Sequence, residues 1–232
     1  RHKGYAAGPI PGLICLAEAG IVLDGPASDL LLFQSFNEFI ELQPYDPRPP
    51  LLFSFQGNLT SPLRGRLLGL QFGRSDVLIE RTEPFWSKIG ANSTRPFKKQ
   101  YVDTIRQSRF VLCPRGNGTS SYRLFETMQS GRVPVIIADQ WVPCESVFWD
   151  TFSVRVRENE IGNLPEICEG FDGRWLEMAQ EARLAWDTWF SSLGLARLIC
   201  HSIRSISRTR RLPERLYSYE WPIRQGMIRT RQ

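Results

Sequence analysis

The feature that most constrains the fold is a pair of short apolar runs, residues 110–113 and 133–137, separated by a loop and a helix-forming segment. Residues 114–120 are rich in glycine and polar side chains and predict the loop, whereas residues 122–130 predict a helix that Gly131 ends. A strand, a helix and a second buried strand spaced by ~20 residues form a βαβ unit, whose strands are parallel. The sequence therefore predicts an α/β domain with a Rossmann-like parallel sheet flanked by helices.

Further segments extend this unit along the chain, and apolar periodicity predicts them. Residues 172–190 carry tryptophan and other apolar side chains at three- and four-residue steps, so we expect one long amphipathic helix whose apolar stripe belongs to the core. A glycine-containing basic turn with Arg64 and Arg66 is predicted after the first strand. The other predicted elements are strands at 51–55, 76–79 and 152–156 and helices near 35–42, 98–108 and 195–208.

Composition excludes several classes of protein. The 232 residues are 42% hydrophobic and 23% charged, a balance that is typical of globular domains and not of disordered, collagen-like or coiled-coil chains. No apolar run approaches the ~20 residues that span a bilayer, and no signal peptide is visible. The proline-rich stretch at residues 44–50 is predicted to be a linker, because consecutive prolines continue neither a helix nor a central strand.

Positive charge is concentrated at the C-terminus. The net charge of the chain is +5, yet residues 197–232 alone hold nine arginines against Glu214 and Glu220. We interpret this region as a solvated or partner-facing helix surface through which protein partners bind. Binding of nucleic acid or anionic lipid is the alternative, but nucleic acid is not expected because no aromatic-rich nucleic-acid motif accompanies the arginines.

The cysteines and glycosylation sequons bear on metal binding and cellular location. The cysteines form no CxxC pair, so no zinc site is predicted; they lie at positions 15, 113, 144, 168 and 200. Sequons begin at Asn58, Asn92 and Asn117 and are compatible with a lumenal location.

Ligands of an open α/β sheet bind beyond the carboxyl ends of the strands, which directs attention to the loop after residue 113. In this loop Gly116 and Gly118 permit close approach of backbone to a ligand, while Ser120 and Ser121 stand at a helix N-terminus, which favours an anion. The pattern predicts a phosphate-binding loop. An ordinary turn with a serine N-cap is the alternative, since neither a complete GxGxxG nor a Walker lysine is present.

The helix that follows adds two charged residues. Arg123 and Glu126 lie three apart and are expected on one helix face, where a carboxylate can accept both ribose hydroxyls and a guanidinium can bind diphosphate oxygens. A plain ion pair on the helix surface is the alternative interpretation.

This stretch closely resembles the signature of the exostosin-like glycosyltransferases. The resemblance is dense over about residues 98–160 and looser at residues 51–57 with Arg64 and Arg66. Its matching segments are residues 109–118, 121–126 and 131–137, together with Asp139.

The resemblance implies a GT-B fold, in which two Rossmann-like domains face each other across a cleft and the C-terminal one binds a nucleotide-sugar. On this basis residues 1–47 are expected to be a remnant of the N-terminal, acceptor-side domain with its linker. Residues 48–194 are expected to form the nucleotide-sugar-binding domain, and residues 195–232 a basic helix and tail. The N-terminal part is thus expected to be short or truncated relative to the family.

The resemblance also implies roles for individual residues. Glu126 is expected to bind the ribose. The glycines and serines of the loop are expected to lie against the diphosphate, and the arginines to neutralise charge on the leaving nucleotide. The complete set of expected donor-binding residues is Arg64, Arg66, Arg115, Gly116, Gly118, Ser120, Ser121, Arg123 and Glu126.

The activity implied is inverting transfer of a hexosyl or pentosyl group from a nucleotide-sugar, with a UDP-sugar favoured, to a glycan or glycoprotein acceptor. No metal or other cofactor is expected to be required, and the sequence contains no DxD triplet. Inversion needs a general base for the acceptor hydroxyl, and no catalytic residue is assigned. Asp24, Asp29 and Glu38 are available in the N-terminal part.

A second interpretation comes from another class of protein: a diverged, non-catalytic exostosin-like subunit that acts as a structural or interaction protein in an assembly. The short N-terminal part favours it. For the enzyme, the expected location is the Golgi or another secretory lumen, with membrane attachment only through an N-terminal anchor that is absent from this chain.

Overall fold

The protein is built around a five-stranded, fully parallel sheet. A computed structural model describes residues 37, 39–82, 91–144, 147–191, 193–194 and 204. The strand order is β2-β1-β3-β4-β5, so the chain starts near one edge, steps outward once and then crosses to the other edge. The strands are β1 (Leu51–Gly57), β2 (Val77–Arg81), β3 (Ser108–Pro114), β4 (Val133–Ile137) and β5 (Val154–Val156).

Helices connect and cover these strands. Short 3₁₀ turns lie at Trp149–Thr151, Ile161–Asn163 and Asp172–Arg174, and a π-helical turn at Trp186–Phe190 continues the last helix. The α-helices are α1 (Pro62–Leu68), α2 (Ala91–Arg106), α3 (Tyr122–Gln129), α4 (Leu164–Gly170) and α5 (Trp175–Ala185). The predicted Rossmann-like parallel sheet flanked by helices is confirmed.

Side chains alternate in direction along each strand, so the core clusters lie on opposite faces of the sheet. Phe110 and Leu112 of β3 belong to one cluster, which α1, α4 and the start of α5 cover. Val111 and Cys113 belong to clusters that α2, α3 and the end of α5 cover. Because successive strand residues point to opposite faces, the sheet is buried on both sides, as parallel sheets are.

Several predicted elements are corrected. The predicted turn with Arg64 and Arg66 is the helix α1, because Ser61 accepts a hydrogen bond from the Arg64 backbone N–H and Pro62 suits the first helical position. The predicted helix near 35–42 is wrong for its described residues, 37 and 39–42, which have no helical structure. The long helix predicted over 172–190 is divided into a 3₁₀ turn, α5 and the π-helical turn, and the helix α4 was not predicted.

The apolar stripe of residues 172–190 is buried as expected, and its core members include Trp175, Met178, Ala182 and Trp186. The helix predicted at 195–208 lies almost wholly outside the described residues. The domain boundaries at 47/48 and 194/195 stay predictions. No helix in the described part of the chain is both long and apolar enough to cross a membrane.

The residues that precede the sheet pack against it. Ile40 is buried with Val102, Ile105 and Val111 in the cluster beneath α2. Further along, Gly131 has a positive φ of 62° after α3, and a Cβ at this position would lie 2.6 Å from the hydroxyl of Tyr45. Only glycine fits both the backbone conformation and this close approach.

Candidate functional site

The loop after β3 meets the N-terminus of α3 at the carboxyl edge of the sheet. Ser121 is the N-cap of α3, with φ −137° and ψ 132°, but its side chain makes no capping hydrogen bond within the described part of the chain. The first turn of α3 contains no acidic residue. The positive end of this helix dipole is therefore not compensated by a side chain of its own helix, which favours an anion.

Arg64 of α1, the helix that follows the neighbouring strand β1, donates hydrogen bonds to this loop. Its Nε donates to the carbonyl of Arg115 and its Nη2 to that of Pro114, both at 3.2 Å. Burial, together with the nearby positive charge of Arg123, lowers the pKa of Arg64 to about 10. The guanidinium stays protonated at neutral pH. Its lowered pKa indicates that no nearby negative charge among the described residues offsets burial and the neighbouring positive charge.

Gly116 lies beside α1 and the residue that precedes its N-cap. A Cβ at this position would lie 3.4 Å from Thr60 Oγ1 and 3.6 Å from Arg64 Nη2. Both distances are ordinary van der Waals contacts, so the packing of the loop against Arg64 does not by itself require glycine.

Arg123 is the most constrained charged residue of the site, with only 8% of its surface exposed. Its guanidinium lies 4.6 Å from the ring centre of Phe55 and 5.5 Å from that of Tyr101, and Nη2 donates to the carbonyl of Gln56. Its Nε and Nη1 are buried and have no hydrogen-bond partner among the described residues. Two charged donors are thus held at the end of β1 without an acceptor.

Glu126 is also buried, with 6% of its surface exposed. One carboxylate oxygen accepts from Asn37 Nδ2 at 2.7 Å, and the other accepts from the Tyr101 hydroxyl at 2.6 Å. Burial raises the pKa of Tyr101, which keeps the phenol protonated as a donor. Sequence reasoning missed both partners, because each lies far from Glu126 along the chain and only the packing of α2 and residue 37 against α3 brings them together.

A second polar cluster joins the ends of β3, β4 and β5. Arg115 and Glu158 form a bidentate ion pair, with Nε–Oε1 at 2.6 Å and Nη2–Oε2 at 3.1 Å. The Glu158 backbone N–H donates to Asp139 Oδ1 at 3.0 Å. The sequence analysis did not single out Glu158, although its position two residues beyond β5 places it at the ligand-binding edge.

The ion pair predicts a measurable pH dependence of stability. The hydrogen bonds from Arg115 lower the pKa of Glu158, so its stabilising effect is present above the ordinary carboxyl pKa of about 4.3 and is lost as the pH falls below it. Because both side chains are partly exposed, Glu158→Gln is expected to lower the free energy of unfolding by about 0.5–1.5 kcal/mol at pH 7. The difference is expected to shrink in urea titrations as the pH is lowered from 7 toward 3.

The control for this measurement is Glu181→Gln, which removes an exposed carboxylate of α5. This variant is expected to leave the free energy of unfolding nearly unchanged at both pH values. A Glu158→Gln effect that stays constant from pH 7 to pH 3 would contradict the assignment.

The structure brings most of the predicted site residues to one edge of the sheet. Arg64, Arg115 and Gly116 contact one another, and Ser120 accepts a backbone hydrogen bond from Gly116. Arg66 is exposed on α1, and its charge contributes to the low pKa of Glu158. The remaining predicted residues are Gly118 and Ser121 in the loop and Arg123 and Glu126 on α3.

The candidate general bases of the N-terminal part, Asp24, Asp29 and Glu38, are not among the residues that the structure describes. Among the described residues, no group of three or more histidine, cysteine, aspartate or glutamate side chains is arranged to hold a metal ion. The thiols of Cys113 and Cys168 are buried, which raises the pKa of each to about 12.

Comparison with known proteins identifies the family. A model described as the Exostosin GT47 domain matches residues 31–171, which is more than half of the chain. The chain belongs to the exostosin GT47 family. The resemblance in the loop and α3 is therefore confirmed, and the matched range contains every predicted site residue.

Each relative of this exostosin-family chain aligns with only part of the chain. The Exostosin-1 homolog of Caenorhabditis elegans is 32% identical over 97 residues, which is 40% of this chain and 25% of the relative. Human Exostosin-2 is 28% identical over 182 residues, covering 75% of this chain and 25% of the relative. A probable glycosyltransferase of Arabidopsis thaliana is 32% identical over 127 residues, covering 54% and 22%. The chain thus spans about a quarter of the length of these curated relatives.

Among solved structures, TarM aligns with 78% of this chain and 40% of its own chain, at 8% identity and a TM-score of 0.45. At this level of similarity the alignment carries no argument about function.

Proposed function

We propose that this chain provides the donor-binding part of a GT-B glycosyltransferase that transfers a sugar, with inversion and without a metal ion, from a UDP-sugar to a glycan or glycoprotein acceptor. The observation that carries the proposal is the guanidinium of Arg123, whose buried Nε and Nη1 have no hydrogen-bond acceptor among the described residues and lie at the carboxyl edge of the sheet. Membership of a glycosyltransferase family supports the same reaction class.

The electrostatics of the edge favour a diphosphate. Arg64 and Arg123 face the same aromatic ring, that of Phe55, at 5.8 and 4.6 Å from its centre. Each positive charge disfavours the other, and burial adds to the cost. A diphosphate bound nearby would reduce the repulsion between the two guanidiniums and accept hydrogen bonds from Arg123. The N-terminus of α3, which has no acidic residue in its first turn, adds to the attraction.

The same groups suit the chemical step. When the bond between the sugar and the diphosphate breaks, negative charge develops on the leaving nucleotide, and fixed cations and backbone N–H groups stabilise that charge. We assign Arg64, Arg123 and the loop residues Gly116 and Gly118 to this role, and the ribose contact to Glu126. The remaining residues of the proposed donor site are Arg66, Arg115, Ser120 and Ser121. The acceptor and the general base are not assigned.

Golgi or secretory localisation and protein binding through the arginine-rich tail belong to the same proposal. Asn117 and Asn58 are carried by loops at the proposed donor edge. Glycosylation at either position would hinder the donor, so we do not expect these two sequons to be used in an active enzyme.

The test is binding of UDP and UDP-sugars to the full chain by calorimetry, with Ser121→Asp as the diagnostic variant. Aspartate is a favourable N-cap, so the variant is expected to keep or raise the unfolding temperature. Its charge nevertheless lies where the diphosphate is proposed to bind, and we expect at least a tenfold loss of UDP affinity.

Asn163→Asp is the matched control, because Asn163 is the N-cap of α4 and, like Ser121, makes no capping hydrogen bond through its side chain within the described part of the chain. This control is expected to bind UDP as the wild type does. Absence of UDP binding to the wild-type chain, or equal affinity in Ser121→Asp, would contradict the proposed donor site.

A second candidate function, that of a non-catalytic structural subunit, is favoured by one observation. Both carboxylate oxygens of Glu126 are engaged within the protein, by Asn37 and Tyr101. In such a subunit Glu126 would stabilise the fold and would not bind a nucleotide. Absence of UDP binding to the folded wild-type chain would support this second candidate.

A further inference from the structure

We propose that Asn37 is an internal competitor of the donor: its carboxamide occupies the hydrogen-bonding position on Glu126 that a ribose hydroxyl takes when the nucleotide binds. This regulatory contact rests on the proposed function, because it concerns access to the same site. It assigns a role to the segment 37–42, which precedes the linker and contains no helix among its described residues.

The argument starts from access to the carboxylate. Glu126 has 6% of its surface exposed and Asn37 has 7%, so the two side chains bury each other. A ribose hydroxyl that donates to Glu126 needs both an acceptor lone pair and space beside it. The carboxylate keeps further lone pairs, but the space beside it is not available to a bulky nucleoside while Asn37 Nδ2 is 2.7 Å from the carboxylate oxygen.

Of the two groups on Glu126, Asn37 is the one that can leave. Tyr101 belongs to the 16-residue helix α2, and its ring is fixed in the cluster with Val102 and Ile105. Asn37 belongs to irregular chain, whose conformation is not stabilised by a helix or a strand. Departure of this segment exposes one carboxylate oxygen and leaves the Tyr101 hydrogen bond in place.

The described part of the segment is held by noncovalent, reversible contacts, which include packing of Phe39 on the cluster beneath α2. Gln129 provides most of the hydrogen bonds: its Oε1 accepts from the Asn37 N–H at 3.2 Å, and its Nε2 donates to the carbonyls of Asn37 and Ile40 at 3.0 and 3.2 Å. Arg106 adds a hydrogen bond to the Glu41 carbonyl at 3.0 Å. Ile40 is the buried apolar anchor. An element held in this way can exchange between docked and undocked states, and the donor selects the undocked one.

The experiment compares UDP and pyrophosphate binding to the full-length wild type and to Asn37→Ala by calorimetry. Alanine removes the competing donor and frees the space that the carboxamide fills. We expect UDP to bind about 3- to 10-fold more tightly to the variant, the factor that corresponds to one hydrogen bond. Pyrophosphate has no ribose and is expected to bind both proteins equally. The gain is also expected to shrink for 2′,3′-dideoxy-UDP.

Two further variants separate competition from a general structural effect. Asn37→Leu keeps the side-chain volume over Glu126 but removes the donor, so we expect no gain in UDP affinity. Leu42→Ala alters an exposed side chain of the same segment and is expected to leave UDP affinity unchanged. Unfolding temperatures of all variants identify any that are misfolded.

The outcomes are distinct. Unchanged or weaker UDP binding to folded Asn37→Ala, with normal binding to the wild type, overturns the competitor role and leaves the proposed function standing. Equal gains for UDP and pyrophosphate also overturn it, because ribose access then plays no part. Absence of UDP binding to both proteins overturns the competitor role together with the proposed function.

Discussion

Replacement of Arg123 by methionine is expected to lower the affinity for UDP by at least about 100-fold without unfolding the protein. Hydrogen bonds to charged groups contribute about 1.5–3 kcal/mol each, and two free donors of Arg123 are proposed to bind the diphosphate. Calorimetric titration with UDP measures this loss. An Arg123→Met variant that binds UDP like the wild type would exclude the carboxyl edge of β1 as the donor site.

The same substitution is expected to cost little stability. A buried guanidinium with two unsatisfied donors contributes poorly to folding, and an apolar side chain of similar length often replaces a buried charge at no cost. Methionine also keeps contact with the rings of Phe55 and Tyr101. We therefore expect the free energy of unfolding to change by less than about 1.5 kcal/mol in urea titrations.

Arg132→Met is the matched control, because Arg132 is equally buried but fully bonded. Its Nε and Nη2 donate to the carbonyl of Arg106 and its Nη1 donates to that of Gly131. The variant leaves buried carbonyls without donors, so we expect a loss of about 2–4 kcal/mol of stability. UDP affinity of the folded fraction is expected to stay unchanged. Arg123→Met is thus expected to weaken UDP binding at little cost in stability, whereas Arg132→Met is expected to lower stability without weakening UDP binding.

The second large effect is expected from Phe55→Ala, at about 3–5 kcal/mol of destabilisation together with a strong loss of UDP binding. Phe55 is fully buried in β1, and removal of its ring creates a cavity in the core. The ring also supports the guanidinium of Arg123 and prevents a side chain at Gly57, where a Cβ would lie 2.8 Å from it. Loss of the ring therefore releases the arginine from its position.

Phe53→Ala provides the comparison for this variant. Phe53 is also fully buried, two residues earlier on the same face of β1, and packs edge-to-face on Phe72. Urea titration is expected to give a similar loss of stability for the two variants. Only Phe55→Ala is expected to weaken UDP binding when both are measured below their unfolding transitions. An equal effect of both on UDP binding would mean that the ring acts through stability alone.

Much of the architecture could be predicted from local patterns. The apolar runs at β3 and β4, with a glycine-rich loop and a helix between them, predicted a parallel βαβ unit, and the structure has that unit with the predicted order of elements. Prediction failed where local signals were short: the segment with Arg64 and Arg66 was predicted to be a glycine-containing turn, although Ser61 and Pro62 are helix-start signals.

The candidate site was predictable in its residue types but not in its contacts. Sequence spacing placed Arg123 and Glu126 on α3, and the family pattern assigned them to the donor. The packing of α2 and of residue 37 against α3 decided that Tyr101 and Asn37 hold the Glu126 carboxylate. Likewise, the position of β5 beside β4 decided that Glu158 neutralises Arg115.

The parallel sheet, the loop at its carboxyl edge and the charged residues of α3 could be predicted, because they depend on periodicity and turn chemistry within about 25 residues of chain. Whether those charged groups have hydrogen-bond partners depends on tertiary packing. Asn37 and Glu126 are 89 residues apart, and Arg123 and Gln56 are 67 apart. Burial and hydrogen bonding at such separations depend on how the sheet and helices pack, and no local pattern encodes them.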